Sequence, residues 1–284
     1  MPELALKVDV DTFRGMKEGV PGIARILDAR GLKASFFVSF GPDRSGLAVL
    51  QLLRPAFLRK MIRTNAPGLY GWKTALYGTL LKAPLIGLAF PDTVRGLIRA
   101  GHETACHAWD HRLWQDWLFL MPASSIGAWF EKMVSAYEGV TGMKPGAFGA
   151  PGWVMDNRSL KAAAGCGFSY LSCSRASAAF IFAENGMLEV PSNLPCIEEA
   201  GVDGVAAALE QRASGEAPQV LPVHAEVEGM AFREAFGSLL DRALDLGYRV
   251  RRLEEVALSL DQASLPTRPL TKGLIPGRAV PCAV

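Results

Sequence analysis

Asp9 and Asp11 stand two residues apart at the end of an apolar run, residues 4–10. In a strand that spacing puts both carboxylates on one face. Two carboxylates close together in an apolar element are costly to bury unless a metal or a proton stabilises them; the plainer alternative is a cap or turn at the strand end. His107 and His111 are four apart, just after a second strand-like run. If the backbone turns helically there, both imidazoles reach one cation. A lone pair of this kind is more often two unrelated histidines, but the chain holds only four, and the last, His224, again ends an apolar run at 220–223. Two imidazoles, one carboxylate and an open position for water make a hydrolytic metal site. The spare carboxylate and the spare histidine then supply a base and an acid.

These residues need a scaffold that brings strand ends together. Apolar stretches at 4–10, 33–40, 147–150, 168–172, 188–190, 220–224 and 248–251, with a short one running into Cys106 and His107, read as strands. Helical patterns at 21–29, 92–100, 124–140, 159–164, 202–212 and 232–246 alternate with them, and residues 253–260 close the series. Such alternation indicates βαβ units and a largely parallel sheet. We expect an α/β chain folded as one domain over 1–284, a distorted (β/α) barrel of about seven strands rather than an open doubly wound sheet. In a parallel barrel the C-terminal strand ends share one rim, where active sites are built. Asp9, Asp11, His107, His111 and His224 all fall on that rim. Neither GxGxxG nor GxxxxGK[ST] occurs, so nucleotide binding has no support.

Charge is unevenly spread. The formal net charge is +2, with half the residues hydrophobic and 20% charged, against roughly 25% in an ordinary soluble domain. Between Asp43 and Asp92 there is no acidic residue, yet seven basic ones occur: Arg44, Arg54, Arg59, Lys60, Arg63, Lys73 and Lys82. Without them the chain has 23 basic and 28 acidic residues, a balance of −5. Leu47, Leu50, Leu53, Phe57, Leu58 and Met61 recur at helical steps within this segment, and Tyr70, Trp72 and Tyr77 follow. Residues 44–91 therefore read as a basic amphipathic helical insertion. It suits an anionic membrane surface, or else an ordinary core-facing helical pair with a solvated basic face. Five cysteines without paired spacing fit a reducing compartment. No leader-like or spanning apolar run is visible. The Pro- and Gly-rich tail at 261–284 reads as a wrapping arm or as loosely ordered.

Taken in order, Asp9-Val10-Asp11, His107-xxx-His111, Phe148-Gly149-Ala150-Pro151-Gly152-Trp153 and Leu221-Pro222-Val223-His224 resemble the motifs of the polysaccharide deacetylase (NodB-homology) family. DVDTFRG at 9–15, GPD at 41–43, NAPGLYGW at 65–72 and HAEVEG at 224–229 are similar to one branch, the deformylases of a lipid-linked amino sugar. The likeness runs over nearly the whole chain. It implies hydrolysis of an N-formyl group from 4-deoxy-4-formamido-arabinose carried on undecaprenyl phosphate, at the cytoplasmic face of the inner membrane. It also implies one divalent metal, zinc or another first-row ion such as manganese, cobalt or nickel, held by Asp11, His107 and His111. Asp9 is then the base and His224 the acid, though the spacing leaves the roles of Asp9 and Asp11 exchangeable. An oxyanion site falls near the backbone of Gly152 or Trp153. Arg54, Arg59, Lys60 and Arg63 are candidates for the lipid phosphate. No nucleic acid and no protein partner is implied. Two other readings stay open, a deacetylase of another glycan or lipid-linked amino sugar and an inactive polyprenyl-phosphate-binding protein.

Two departures from the family stand out. Many members carry an arginine in the third motif that orients the base, and Gly149 is found there instead. The aspartate that tunes the acidic histidine is also missing from the neighbourhood of Cys173 and Ser174. Arg158, Arg175, Glu226 and Glu228 are the candidates to replace them. For Glu226 and Glu228 the plainer alternative is a loop of solvated carboxylates.

Overall fold

The computed structural model describes residues 1–51, 74–215, 217–275 and 280–284. Its first strand, β1 (Glu3–Val10), is buried along almost its whole length. Strict alternation sorts its residues into two cores. Leu4, Leu6, Val8 and Val10 pack outward with Ile23, Ile26 and Leu27 of the helix α1 (Val20–Asp28), whose first turn carries a proline. Ala5 faces inward, into a separate cluster with Phe37, Ala105, Ala147, Tyr170, Leu188, Val190 and Val220. A sheet with one core outside and another inside has curled on itself, which is the (β/α) barrel expected from the alternation of elements.

Parallel ladders join β1 to β2 (Ser35–Val38), β2 to β3 (Glu103–Cys106), β3 to β4 (Ala147–Phe148) and β4 to β5 (Tyr170–Leu171). On its other edge β1 pairs with β8 (Gln219–His224), and its first residues also pair with β9 (Arg249–Arg251). Beyond β5 come β7 (Leu188–Glu189), the antiparallel β6 (Phe180–Phe182) and β10 (Thr267–Arg268). The sheet thus has ten strands, against the seven or so expected. No ladder among the described strands joins its two ends. An irregular segment spans that gap instead: Ser192 N–H donates to Ser174 O (3.0 Å) and Leu194 N–H to Val220 O (3.2 Å). This is the distortion of the barrel.

Helices α2 (Pro91–Arg99), α3 (His111–Trp117), α4 (Ala123–Thr141), α5 (Asn157–Ala164), α6 (Ile197–Arg212) and α7 (Arg233–Asp245) follow the strands. The last, α8 (Leu253–Ser259), plugs the lower end of the barrel. There the buried Glu103 accepts from Ser35 Oγ, from Tyr170 Oη (2.6 Å) and from Glu254 N–H (3.0 Å), while Leu253 N–H donates to Ser35 Oγ (2.7 Å). Burial, outweighing these bonds, pushes the Glu103 carboxyl up to about 7.

Of the basic insertion, residues 45–51 form a short tight helix, and Arg44 Nε lies 3.0 Å from Asp110 Oδ2. Arg54, Arg59, Lys60 and Arg63 lie outside the described residues. At the C-terminal end, β11 (Lys272–Gly273) pairs antiparallel with β12 (Cys282–Ala283), and Arg175 N–H donates to Ala283 O (2.9 Å). Among the described residues no helix is long and apolar enough to cross a membrane.

Candidate active site and metal centre

The upper rim collects the titratable residues. The β1–β8 register sets Asp9 directly beside His224. His107, just past β3, is held in line by its N–H to Val38 O (3.0 Å). The chain then reverses through Ala108, whose φ of 95° is a left-handed conformation rare for a residue with a side chain. Asp110 caps the next helix by accepting from Leu113 N–H (2.9 Å), so His111 is the first residue of α3. The two histidines therefore meet through a strand end, a strained turn and a helix start, rather than along one continuous helix. Their rings lie 5.3 Å apart.

Asp11 sits between them. His107 Nε2 is 3.2 Å from its Oδ1 and His111 Nε2 is 3.2 Å from its Oδ2. His107 Nδ1 lies 2.9 Å from Gly149 O. A carbonyl only accepts, so Nδ1 carries the proton and the Nε2 lone pair is left for a ligand. Burial alone would raise the Asp11 carboxyl, but the imidazoles of His111 and His107 outweigh it and hold that carboxyl well below the usual range. Burial pushes His111 down to about 4, so it stays neutral at pH 7. Asp11 Oδ1 is buried and makes no hydrogen bond. Two imidazoles and one carboxylate with an orphaned oxygen, their donor atoms within 4.8 Å of one another, fit a divalent first-row metal.

Asp9, in contrast, turns to Lys7. Lys7 Nζ reaches both carboxylate oxygens, at 2.5 and 2.6 Å, and Lys7 has no exposed surface. Asp9 Oδ1 remains 3.9 Å from His107 Nδ1, so it borders the donor set without joining it. A Cβ placed on Gly149 would stand 2.7 Å from Phe37 Cδ1 and 3.1 Å from Lys7 Cε. The lysine stem occupies the space that a third-motif side chain would need. Arg158, offered above as a substitute, is tied elsewhere, to Asp156 and to the carbonyls of Met121 and Leu118. That reading is corrected: the cation at Asp9 comes from β1.

On the other side of the rim, His224 Nδ1 lies 3.1 Å from Glu198 Oε2 in the first turn of α6. Burial lowers the basicity of this imidazole, but the surrounding carboxylates, Glu198 foremost and then Asp11, Glu228 and Asp9, raise it above the ordinary value. The carboxylate beside the histidine is thus Glu198, and neither of the two glutamates that follow His224 takes that position. Glu226 Oε1 accepts from Asp11 N–H (3.0 Å), Thr12 N–H (2.7 Å) and Thr12 Oγ1 (2.8 Å), pinning the loop after β1. Glu228 Oε2 accepts from His224 N–H (2.8 Å). Both are buried, which rules out the alternative of a loop of solvated carboxylates. Burial drives Glu226 well above the ordinary glutamate range and Glu228 up to about 7.

Gly152 and Trp153 both adopt positive φ, 59° and 56°, in a tight turn after β4. Trp153 N–H is used within it, donating to Ala150 O (3.0 Å), which leaves Gly152 as the oxyanion candidate of the two. The Arg175 guanidinium stacks on the Trp153 ring at 4.6 Å and pairs with Glu199 at 3.0 Å. It therefore braces the indole. Lys7 and Glu198 escape the sequence reading. Lys7 could have been found from parity, because residues 5, 7, 9 and 11 share one face of β1; Glu198 carries only the signal of an acidic first helical turn.

A curled parallel sheet with this donor set on its rim defines a class. The polysaccharide deacetylase model matches residues 4–171, and the chain belongs to that family, whose NodB-homology fold it shares. It is 33% identical over 247 residues to a protein of Shewanella sediminis named as the probable 4-deoxy-4-formamido-L-arabinose-phosphoundecaprenol deformylase ArnD, covering 85% of this chain and 81% of the relative. A protein of the same name from Wigglesworthia glossinidia brevipalpis is 28% identical over 277 residues, 93% of this chain and 96% of that one. Among solved structures, a putative polysaccharide deacetylase from Mycobacterium smegmatis shares the fold at a TM-score of 0.68 and 19% identity, covering 96% and 94% of the two chains.

Proposed function

We propose that this chain is a metal-dependent amide hydrolase that removes the N-formyl group from 4-deoxy-4-formamido-L-arabinose carried on undecaprenyl phosphate, giving formate and the free amine. The observation that carries the reading is the Asp11–His107–His111 donor set flanked on neighbouring strands by Asp9 and His224, in a chain one third identical to a relative named for that reaction. Asp11, His107 and His111 would hold a divalent metal, which would supply Lewis-acid charge at the reacting centre. Asp9, aimed by Lys7, accepts the proton of the attacking water as it adds to the formyl carbon. Gly152 N–H faces the oxygen that gains charge. His224, its basicity raised by Glu198, then protonates the departing amine as the C–N bond breaks.

The lipid part of the reading rests on the insertion and its surroundings. Leu80, Phe119 and Leu120 are each more than half exposed, and the sequence at 44–91 holds seven cations and no acid. Exposed apolar side chains and a cation-rich sequence suit an isoprenoid chain and its phosphate beside an anionic bilayer. Arg54, Arg59, Lys60 and Arg63 are the proposed phosphate contacts, and the enzyme works at the cytoplasmic face. The test is formate release from a synthetic prenyl-phosphate formamido sugar, run beside its acetyl analogue. Release from the formyl compound alone supports the reading. Release of acetate at an equal rate points to a broader deacetylase, and no release from either by metal-loaded protein overturns it.

A further inference from the structure

Outside the donor set around Asp11, a second group of ligating atoms converges on the rim. Cys196 precedes the first residue of α6, Glu198 lies in its first turn, and His224 ends β8. The cysteine sulfur, a glutamate oxygen and an imidazole nitrogen all lie within 4.8 Å of one another. His224 Nδ1 is buried and makes no hydrogen bond, although Glu198 Oε2 stands 3.1 Å away. The two atoms are near each other without being aligned as donor and acceptor, as ligands that point at a common third centre are. Tetrahedral zinc with bonds of 2.0–2.1 Å sets neighbouring ligand atoms roughly 3.3 Å apart. The His–Asp pairs of the first centre show the same spacing, 3.2 Å.

We propose that Cys196, Glu198 and His224 form a second transition-metal site, of lower occupancy than the first, and that a cation bound there suppresses turnover. Thiolate, imidazole and carboxylate together select zinc or cobalt over magnesium or calcium, and the metal itself deprotonates the thiol. The frame is set in advance. Cys196 N–H donates to Glu199 Oε2 (3.2 Å), which Arg175 holds from behind at 3.0 Å, and His224 N–H is fixed by Glu228. A cation on Nδ1 takes the place of the proton that Glu198 otherwise stabilises on that nitrogen, and leaves Nε2–H a poor acid. The inhibitory consequence rests on the assignment of His224 as the acid; the binding does not.

Cobalt titration of the metal-free full chain tests the site directly. Equilibrium dialysis should find two equivalents bound, with a thiolate-to-cobalt charge-transfer band in the near ultraviolet appearing only with the second. Cys196→Ser should bind one equivalent without the band, and His107→Ala should lose the first equivalent and keep the band. Glu198→Gln, which leaves the thiol in place, should weaken the second equivalent while the band still forms at saturation. Binding of a single equivalent without the band, or a band that survives Cys196→Ser, overturns the proposal. With zinc, formate release should rise through the first equivalent and fall roughly 100-fold or more on the second. In Cys196→Ser the ratio of activity at two equivalents to that at one should return to about one. Two equivalents and the band in a chain that releases no formate would sink the deformylase reading and leave the site standing.

Discussion

Glu103 and Asp11 are carboxylates at opposite ends of one barrel interior, and the difference between them separates holding a fold from doing chemistry. At the lower end every neighbour of Glu103 is a donor the protein itself provides: two hydroxyls and a helix N–H. Burial dominates there and moves the carboxyl toward its neutral form. At the upper end Asp11 faces two imidazoles, each with Nε2 3.2 Å away, and one of its oxygens has no hydrogen bond. A buried carboxylate fully served by protein donors is structural, whereas one left open among other ligands awaits something from outside.

The contrast is sharpest when each end is broken separately. His107→Ala should lower kcat by roughly 10³-fold and abolish binding of the first metal equivalent, measured by formate release and metal analysis; a variant that kept full activity would undo the assignment of the rim. Lys7→Met leaves Asp9 without its cation and should lower kcat by roughly 10–100-fold, with a smaller change in KM. His224 is needed protonated, and its basicity is raised chiefly by Glu198. Activity should therefore fall on the alkaline side at a pH above the ordinary imidazole value, and Glu198→Gln should move that limb to lower pH. Glu103→Gln should leave kcat of the folded enzyme unaltered and cost about 1–3 kcal/mol of stability in denaturant unfolding.

The smallest effect is a slope. Glu103 is held near 7 against an ordinary 4.5, so folding takes up a proton between those values. Its contribution is greatest below about pH 4.5 and declines as pH rises toward 7. Glu189 and Glu228 share the direction. Glu103→Gln should remove only its part of that decline, which thermal unfolding across this range would measure.

Much of the rim was legible because its residues interrupt apolar runs. Asp9, Asp11, His107 and His224 stand where strands stop, and a polar group there needs a reason. The barrel was legible for the same cause, since β1, β2 and β8 are nearly continuous apolar runs separated by helical patterns. What escaped is what depends on distant partners. Lys7 lies within a strand and is explained only by Asp9 above it and the bare Gly149 across the interior. Glu198 reaches His224 from a residue 26 positions earlier, with a whole helix between them. β6 and β10 pair residues more than eighty apart, and neither carries an alternation of its own long enough to signal a strand.

The bare backbone at Gly149, with the Lys7 stem lying across it, also restricts how this chain can change. A substitution to arginine at 149 meets Phe37 and the lysine at once, and loss of the lysine alone strands Asp9. Either step is harmful while the other is absent, so the two arrangements of charge behind the base are separated by a fitness valley. Exchange between them requires a paired substitution, and a chain that keeps Lys7 is committed to glycine across from it.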